Sequence, residues 1–140
     1  KKLKKKGRIF VLISDGECQE GTTWESILIA SKHKLDNLII IVDYNKIQAL
    51  SKINDALPLH NLEKKFRSFN LDCTNIKNGH NFNSLIKSLK RIKKNNKPHI
   101  FLVNTIKGKG IKEFENDPIW HARKITDMDL KIAKKRLNIL

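Results

Sequence analysis

Arg8-Ile-Phe-Val-Leu-Ile13, running into Ser14-Asp15-Gly16-Glu17, is the stretch that decides the fold. A strand with one wet face alternates apolar and polar residues, whereas a strand covered on both faces of a parallel sheet is apolar throughout. This run is of the second kind, and Leu38-Ile-Ile-Ile-Val42 repeats it. Between the two, Thr22 to Lys32 carries Trp24, Ile27 and Leu28 on one side, and Thr22 with Glu25 has the spacing of a capping box. That stretch reads as a helix, and the whole as a strand, helix, strand unit, the element from which parallel sheets are built.

The same alternation continues outward. Asn61 to Phe69 reads as a short helix, and Asp72 to Ile76 as a weaker strand. From Asn81 to Lys94, Phe82, Leu85, Ile86 and Leu89 recur at helical spacing with lysines on the other face. Ile100-Phe-Leu-Val103 is a further buried strand, introduced by Pro98. A Gly-Lys loop at Lys107 to Gly110 and an irregular stretch to Trp120-His121 follow, and Thr126 to Leu140 has the pattern of a basic amphipathic helix. The expected class is α/β, a largely parallel sheet flanked by helices, with residues 1–125 as the domain and 126–140 as a C-terminal basic helix. The cluster Lys1 to Lys6 is either a flexible start or the remnant of an upstream region.

A chain of 140 residues can bury one real core and has no room for a second catalytic domain. No apolar stretch approaches the length of a membrane helix, and the start lacks the apolar run of a signal peptide, so a cytoplasmic protein is expected. Cys18 and Cys73 fit neither a zinc pattern nor a disulfide framework and read as free thiols in a reducing compartment. The formal charge of +15 invites a nucleic-acid reading. Yet Lys, Ile and Asn, all with AT-rich codons, fill 57 of the 140 positions, so genome composition explains the lysines more cheaply than a polyanion partner does.

Ligands of parallel α/β sheets sit beyond the carboxyl ends of the strands. Ser14-Asp15-Gly16-Glu17 follows the first run and Asp43-Tyr44-Asn45-Lys46-Ile47 the second. If these strands are neighbours, Asp15 and Asn45 offer a carboxylate and an amide oxygen to one hard cation, a set that suits magnesium and leaves positions for phosphate oxygens. Gly16 lets the backbone approach a diphosphate, with the amides of the following helix start in support. Singly, an Asp-Gly pair and an Asn are turn residues. Their joint placement after two buried runs favours a site.

Here the chain resembles the transketolases. Ser14-Asp15-Gly16 with Asn45 is similar to the thiamine diphosphate motif, a Gly-Asp-Gly followed at a distance by Asn. Glu17-Cys18-Gln19-Glu20-Gly21, Trp24-Glu25, His33-Lys34-Leu35-Asp36-Asn37-Leu38 and Asp43-Tyr44-Asn45-Lys46-Ile47-Gln48 are similar to that family. So are Leu57-Pro58-Leu59, Asn78-Gly79-His80, Lys107-Gly108-Lys109-Gly110 and Trp120-His121, in order. The resemblance implies that thiamine diphosphate and magnesium are the cofactors. It implies Asp15, Asn45 and the main-chain carbonyl of Ile47 as metal ligands, Gly16 and Glu17 at the diphosphate, and Lys107 and His121 near the diphosphate and the catalytic centre. Glu20 and Glu25 match acidic residues near the subunit interface that connect two cofactor sites, and with His121 they complete the catalytic candidates. His80 reads as part of a loop before a helix, and His33, His60 and His99 as surface or structural residues.

The implied activity is transfer of a two-carbon ketol unit from a ketose phosphate to an aldose phosphate. The implied partner is a pyrimidine-binding C-terminal subunit, in a homodimer or heterotetramer, with sugar phosphates as substrates and neither nucleic acid nor membrane involved. Deoxyxylulose phosphate synthase, which uses the same anchor, and a noncatalytic remnant or basic nucleic-acid-binding protein are the alternatives. The chain departs from the family pattern in two ways. Ser14 stands where glycine is usual, which requires an ordinary negative φ. The family's segment before the first strand, with its histidines and glycine-rich turn, is also missing, so the domain is expected to be incomplete at its N-terminus and inactive alone.

Overall fold

A computed structural model of the chain describes residues 6–49 and 51–139. Its centre is a four-stranded, wholly parallel sheet made of β1 (Ile9–Ser14), β2 (Leu38–Tyr44), β3 (Asp72–Ile76) and β4 (His99–Asn104), in the order β1-β2-β4-β3. The connections carry α1 (Gly21–Lys32), α2 (Ile53–Ala56), α3 (Leu62–Ser68) and α4 (Phe82–Lys90), and α5 (Asp127–Leu137) follows the last loop. The expected α/β architecture is therefore what forms.

The two central strands are buried on both faces, as their unbroken apolar runs require. Successive side chains of a strand point to opposite faces. Ile40, Val42, Ile100 and Leu102 accordingly enter one core with Ile27, Leu62, Phe66 and Cys73, while Ile39, Phe101 and Val103 enter a second with Ile76. Trp24 of α1 stacks on Phe66 of α3 at 5.2 Å between ring centroids, joining the two helices that cover the first face. Phe66 is fully buried, and truncating it to alanine should cost about 3–5 kcal/mol. On the second face, α4 brings Leu85 and Leu89 against the sheet, with Ile92 just beyond its end.

β1 departs from expectation. Its run reads as doubly buried, yet Phe10 is 54% and Leu12 71% exposed and neither joins the core under α4, and β1 is an edge strand whose only partner among the described residues is β2. An apolar run records a demand for cover and cannot say whether the chain itself supplies it. Local boundaries differ too. α1 begins at Gly21, and its N-cap Glu20 makes no side-chain bond, so Thr22 lies inside the helix and forms no capping box with Glu25. The box occurs instead at α5, where the Asp129 carboxylate accepts the Thr126 N–H at 2.9 Å and the Thr126 hydroxyl accepts the Asp129 N–H. Asn61 and Asn81 cap α3 and α4 by accepting the amides of Lys64 and Ser84. α4 ends at Lys90, short of Lys94, and Phe82 in its first turn is 77% exposed instead of facing the core with Leu85. Arg136 of α5 pairs with Glu113, tying that helix to the loop before it. Lys1 to Lys5 and Leu140 lie outside the described residues, and no described helix is long and apolar enough to cross a membrane.

An uncovered apolar edge is a template for pairing. The 140-residue chain should therefore show concentration-dependent association by sedimentation velocity. Leu12→Lys should shift it toward monomer with unchanged circular dichroism, and unaltered association in that variant would clear the β1 edge of responsibility.

Candidate functional site

Strand register assembles the site. Ser14 lies opposite Asp43, and Asp43 opposite Val103, so β1, β2 and β4 end at one level. The ladder runs one step further, with the Asp15 N–H donating to the Asp43 carbonyl at 3.2 Å and the Thr105 N–H to the Tyr44 carbonyl at 3.4 Å. Asp15, Asn45 and Thr105 thus leave the same sheet edge from three strands. Beyond it lies a cleft of about 650 Å³ whose lining includes Asp15, Gly16, Glu17, Glu20, Asn45, Ile47, Lys107 and His121.

Asp15 is 1% exposed, and its Oδ2 accepts the Lys46 N–H at 2.5 Å. Lys46 takes a left-handed conformation, φ 66°, that turns this amide inward. Burial pushes the Asp15 carboxyl above its ordinary range, and the nearby Asp43 adds in the same direction, against the lowering effect of the Lys46 and Gly16 amides. Among the described residues no Lys or Arg forms an ion pair with Asp15. A buried carboxylate served only by amide dipoles, beside a second carboxylate, is a place where a cation is favoured.

The Asn45 amide oxygen accepts the Ile47 N–H at 2.9 Å, and its nitrogen donates to Asp43 Oδ2 at 3.3 Å. The other Asp43 oxygen accepts the Thr105 hydroxyl, so one carboxylate holds the exits of β2 and β4 together. Ile47 is buried and bridges to Lys52, which stiffens the loop. Carboxylate, amide and main-chain carbonyl oxygens are the ligand types magnesium takes. Gly16 opens the 3-10 turn Gly16–Gln19, and a Cβ there would point between the Ser14 hydroxyl and Gln48 at 3.7–3.8 Å, partly filling the cleft mouth.

Ser14 does not have a positive φ, so the missing glycine leaves no backbone strain. Its N–H and hydroxyl both donate to Glu17 Oε2, at 2.8 and 3.0 Å, and its hydroxyl accepts the Glu17 N–H. Glu17 is thereby folded back over the turn. On the far side, Lys107 Nζ lies 3.3 Å from His121 Nδ1. Gly108 makes that approach possible: its φ is +75°, and a Cβ would overlap the Phe114 carbonyl. The Asn116 N–H donates to the Lys107 carbonyl at 2.9 Å, and Trp120 packs on Phe114 at 3.8 Å between centroids. The loop therefore returns to its own start, carrying His121 back to Lys107.

A family profile described as the transketolase, thiamine diphosphate binding domain matches residues 4–139. The chain belongs to the transketolase family. A subunit of the apulose-4-phosphate transketolase of Actinobacillus succinogenes is 39% identical over 137 residues, which are 98% of this chain and 49% of the relative. The 6-deoxy-6-sulfo-D-fructose transketolase subunit SqwG of a Clostridium species is 37% identical over 92% of this chain and 47% of its own. The chain thus spans about half the length of these curated relatives. The transketolase of Campylobacter jejuni superposes with a TM-score of 0.85 at 31% identity, over 95% of this chain and 21% of that one.

Of the residues that resemblance to the transketolases singled out, the fold gathers all but Glu25 around one cleft. Glu25 is exposed on α1, and Glu20 is exposed at the cleft rim. Sequence reasoning assigned nothing to Asp43, Thr105 or Gln48, and Asp43, next to a strand end and two residues before Asn45, was the one with a visible signal. Cys18, directly under the turn, has its thiol pushed up to about 12 by burial first and then by the charges of Asp15 and Glu17, which favours the protonated thiol at neutral pH.

The raised Asp15 pKa has a stability consequence. The neutral carboxyl is favoured in the folded state, so its contribution is present at and below the ordinary carboxylate value and is lost as pH rises through the folded value. Asp15→Asn should then raise the Tm of the metal-free chain at neutral pH, with the gap closing toward acid. Magnesium should raise the Tm of the parent chain and leave the variant unmoved. A lower Tm for Asp15→Asn at neutral pH would refute this account of the buried carboxylate.

Proposed function

We propose that this chain is the magnesium- and diphosphate-anchoring part of a transketolase that moves a two-carbon ketol unit from a ketose phosphate to an aldose phosphate. The observation that carries the reading is the buried Asp15, lacking a cationic side-chain partner among the described residues, beside Asn45 in a cleft whose opposite wall holds Lys107 and His121. Asp15, Asn45 and the Ile47 carbonyl would hold magnesium, which keeps coordination positions for phosphate oxygens and water. The backbone at Gly16 and Glu17 would lie along the diphosphate, and the Lys107 ammonium would donate to its oxygens. His121 would stand at the reacting end, holding substrate in place and stabilising charge there. Thiamine diphosphate, when bound, supplies the carbanion chemistry, and the protein contributes orientation and electrostatics.

Two relatives are named as transketolase subunits, which supports a separate partner chain, and we assign the pyrimidine-binding domain to it. Glu20 at the cleft rim and Glu25 one turn along α1 are the acidic residues we assign to that contact, in a homodimer or heterotetramer. Which sugar phosphates are used depends on surfaces that the partner would complete.

In a complex reconstituted with the pyrimidine-binding partner chain, Asp15→Ala and Asn45→Ala should each weaken magnesium-dependent thiamine diphosphate binding by about a hundredfold or more, measured by calorimetry. Undiminished affinity in both variants would sink the assignment. His121→Ala should lower turnover by about 100-fold while leaving the Tm in place. Normal turnover with a depressed Tm would make His121 a packing residue only.

A further inference from the structure

The loop between β3 and α4 makes contacts that the proposed anchor does not use. The Ile106 amide, one residue before Lys107, donates to His80 Nε2 at 2.8 Å. A backbone N–H can only donate, so Nε2 must present its lone pair and a neutral ring must carry its proton on Nδ1. The loop carrying His80 is itself braced, since the His80 backbone N–H donates to the Asn78 side-chain oxygen at 3.0 Å. Gly79 seats this loop against the end of β4, donating its N–H to the Asn104 carbonyl at 2.7 Å. A Cβ on Gly79 would overlap Val103 and come within 2.8 Å of the Thr105 methyl, so only glycine allows so close a seat. The Asn104 side-chain amide adds bonds to Asn75 Oδ1 at 2.7 Å and to the Ile76 carbonyl at 3.0 Å.

Residues 104–106 are therefore gripped from both sides. The Asn78-Gly79-His80 loop holds them on the β3 side, and Thr105 reaches Asp43 on the β2 side. Lys107 is the next residue along, and its ammonium lies 3.3 Å from His121 Nδ1. We propose that His80 is a positioning residue of the site: its unprotonated Nε2 holds the Ile106 amide and so aims Lys107 at His121 and the cleft. The consequence for cofactor binding rests on the proposed function, while the positioning itself does not.

The test has two arms. In the 140-residue chain, nitrogen-15 NMR should find the His80 ring with its proton on Nδ1. His80→Ala should speed hydrogen exchange of the Ile106 amide about tenfold, the scale of one lost hydrogen bond. It should also shift the His121 ring resonances, and His80→Gln, whose amide oxygen can accept the same N–H, should restore both. In the reconstituted complex, His80→Ala should weaken magnesium-dependent thiamine diphosphate binding, and the double variant with Lys107→Ala should bind no worse than Lys107→Ala alone. Unchanged Ile106 exchange and His121 resonances in His80→Ala would overturn the proposal. So would fully additive losses in the double variant, or equal losses of Tm in His80→Ala and His80→Gln without selective change at Ile106. If the parent complex binds no cofactor, the proposed function fails while the NMR arm still decides the role of His80.

Discussion

The hydrogen bond from the Lys46 amide to the buried Asp15 carboxylate ties the turn after β1 to the turn after β2, and the rest of the site follows from that join. It forms only because the two strands run parallel in a register that ends Ser14 opposite Asp43. Shift either strand by one residue and Asp15 would face the other side of the sheet, since side chains alternate with period two. Asp43 then extends the join to β4 through Thr105, and β4 carries Lys107 outward. Three strands from distant parts of the chain thus converge on one cleft, and the site is a product of register more than of any local motif.

The cost of the arrangement is local. Asp15 is buried next to Asp43 with its carboxyl raised, and the Tyr44 hydroxyl and the Cys18 thiol beside it are raised too, each first by its own burial and second by the Asp15 charge. Proteins tolerate such destabilising clusters where function uses them. The hydrophobic layers of β2 and β4, packed on both faces, supply the stability that offsets it.

How much of this was legible in the sequence depends on the range of the interaction. The strands around Ile40 and Leu102 were readable because an unbroken apolar run has one simple cause, cover on both faces. β1 has the same run and lacks the same cover, since what packs over a strand's face is no property of the run. Asp15 and Asn45 were readable as strand-end oxygens, but Lys107 and His121 stood out only by resemblance, because among 24 lysines none is marked locally. The spacing of a capping box occurs at both Thr22 and Thr126, where an acidic residue stands three positions on, and the box forms only at the second. At Thr22 the preceding 3-10 turn already fixes the helix start, and the Thr23 hydroxyl donates to the Glu17 carbonyl. The loop position of His80 was legible, but a single imidazole-to-amide bond between segments 26 residues apart has no sequence signature.

The single ladder that holds β1 among the described residues implies an uneven distribution of local opening free energy across the site. Asn45 and Thr105 grow from strands flanked on both sides, whereas Asp15 grows from one that, among the described residues, pairs only with β2. Fraying of β1 would carry Asp15 away from Lys46 while leaving the β2 and β4 exits in place. The metal-ligand candidates would then separate in a sub-global fluctuation far cheaper than unfolding. Whatever pairs with the outer edge of β1, from within a longer polypeptide or from another molecule, would suppress that fluctuation, and occupancy of a backbone edge outside the cleft would thereby set the population of intact sites.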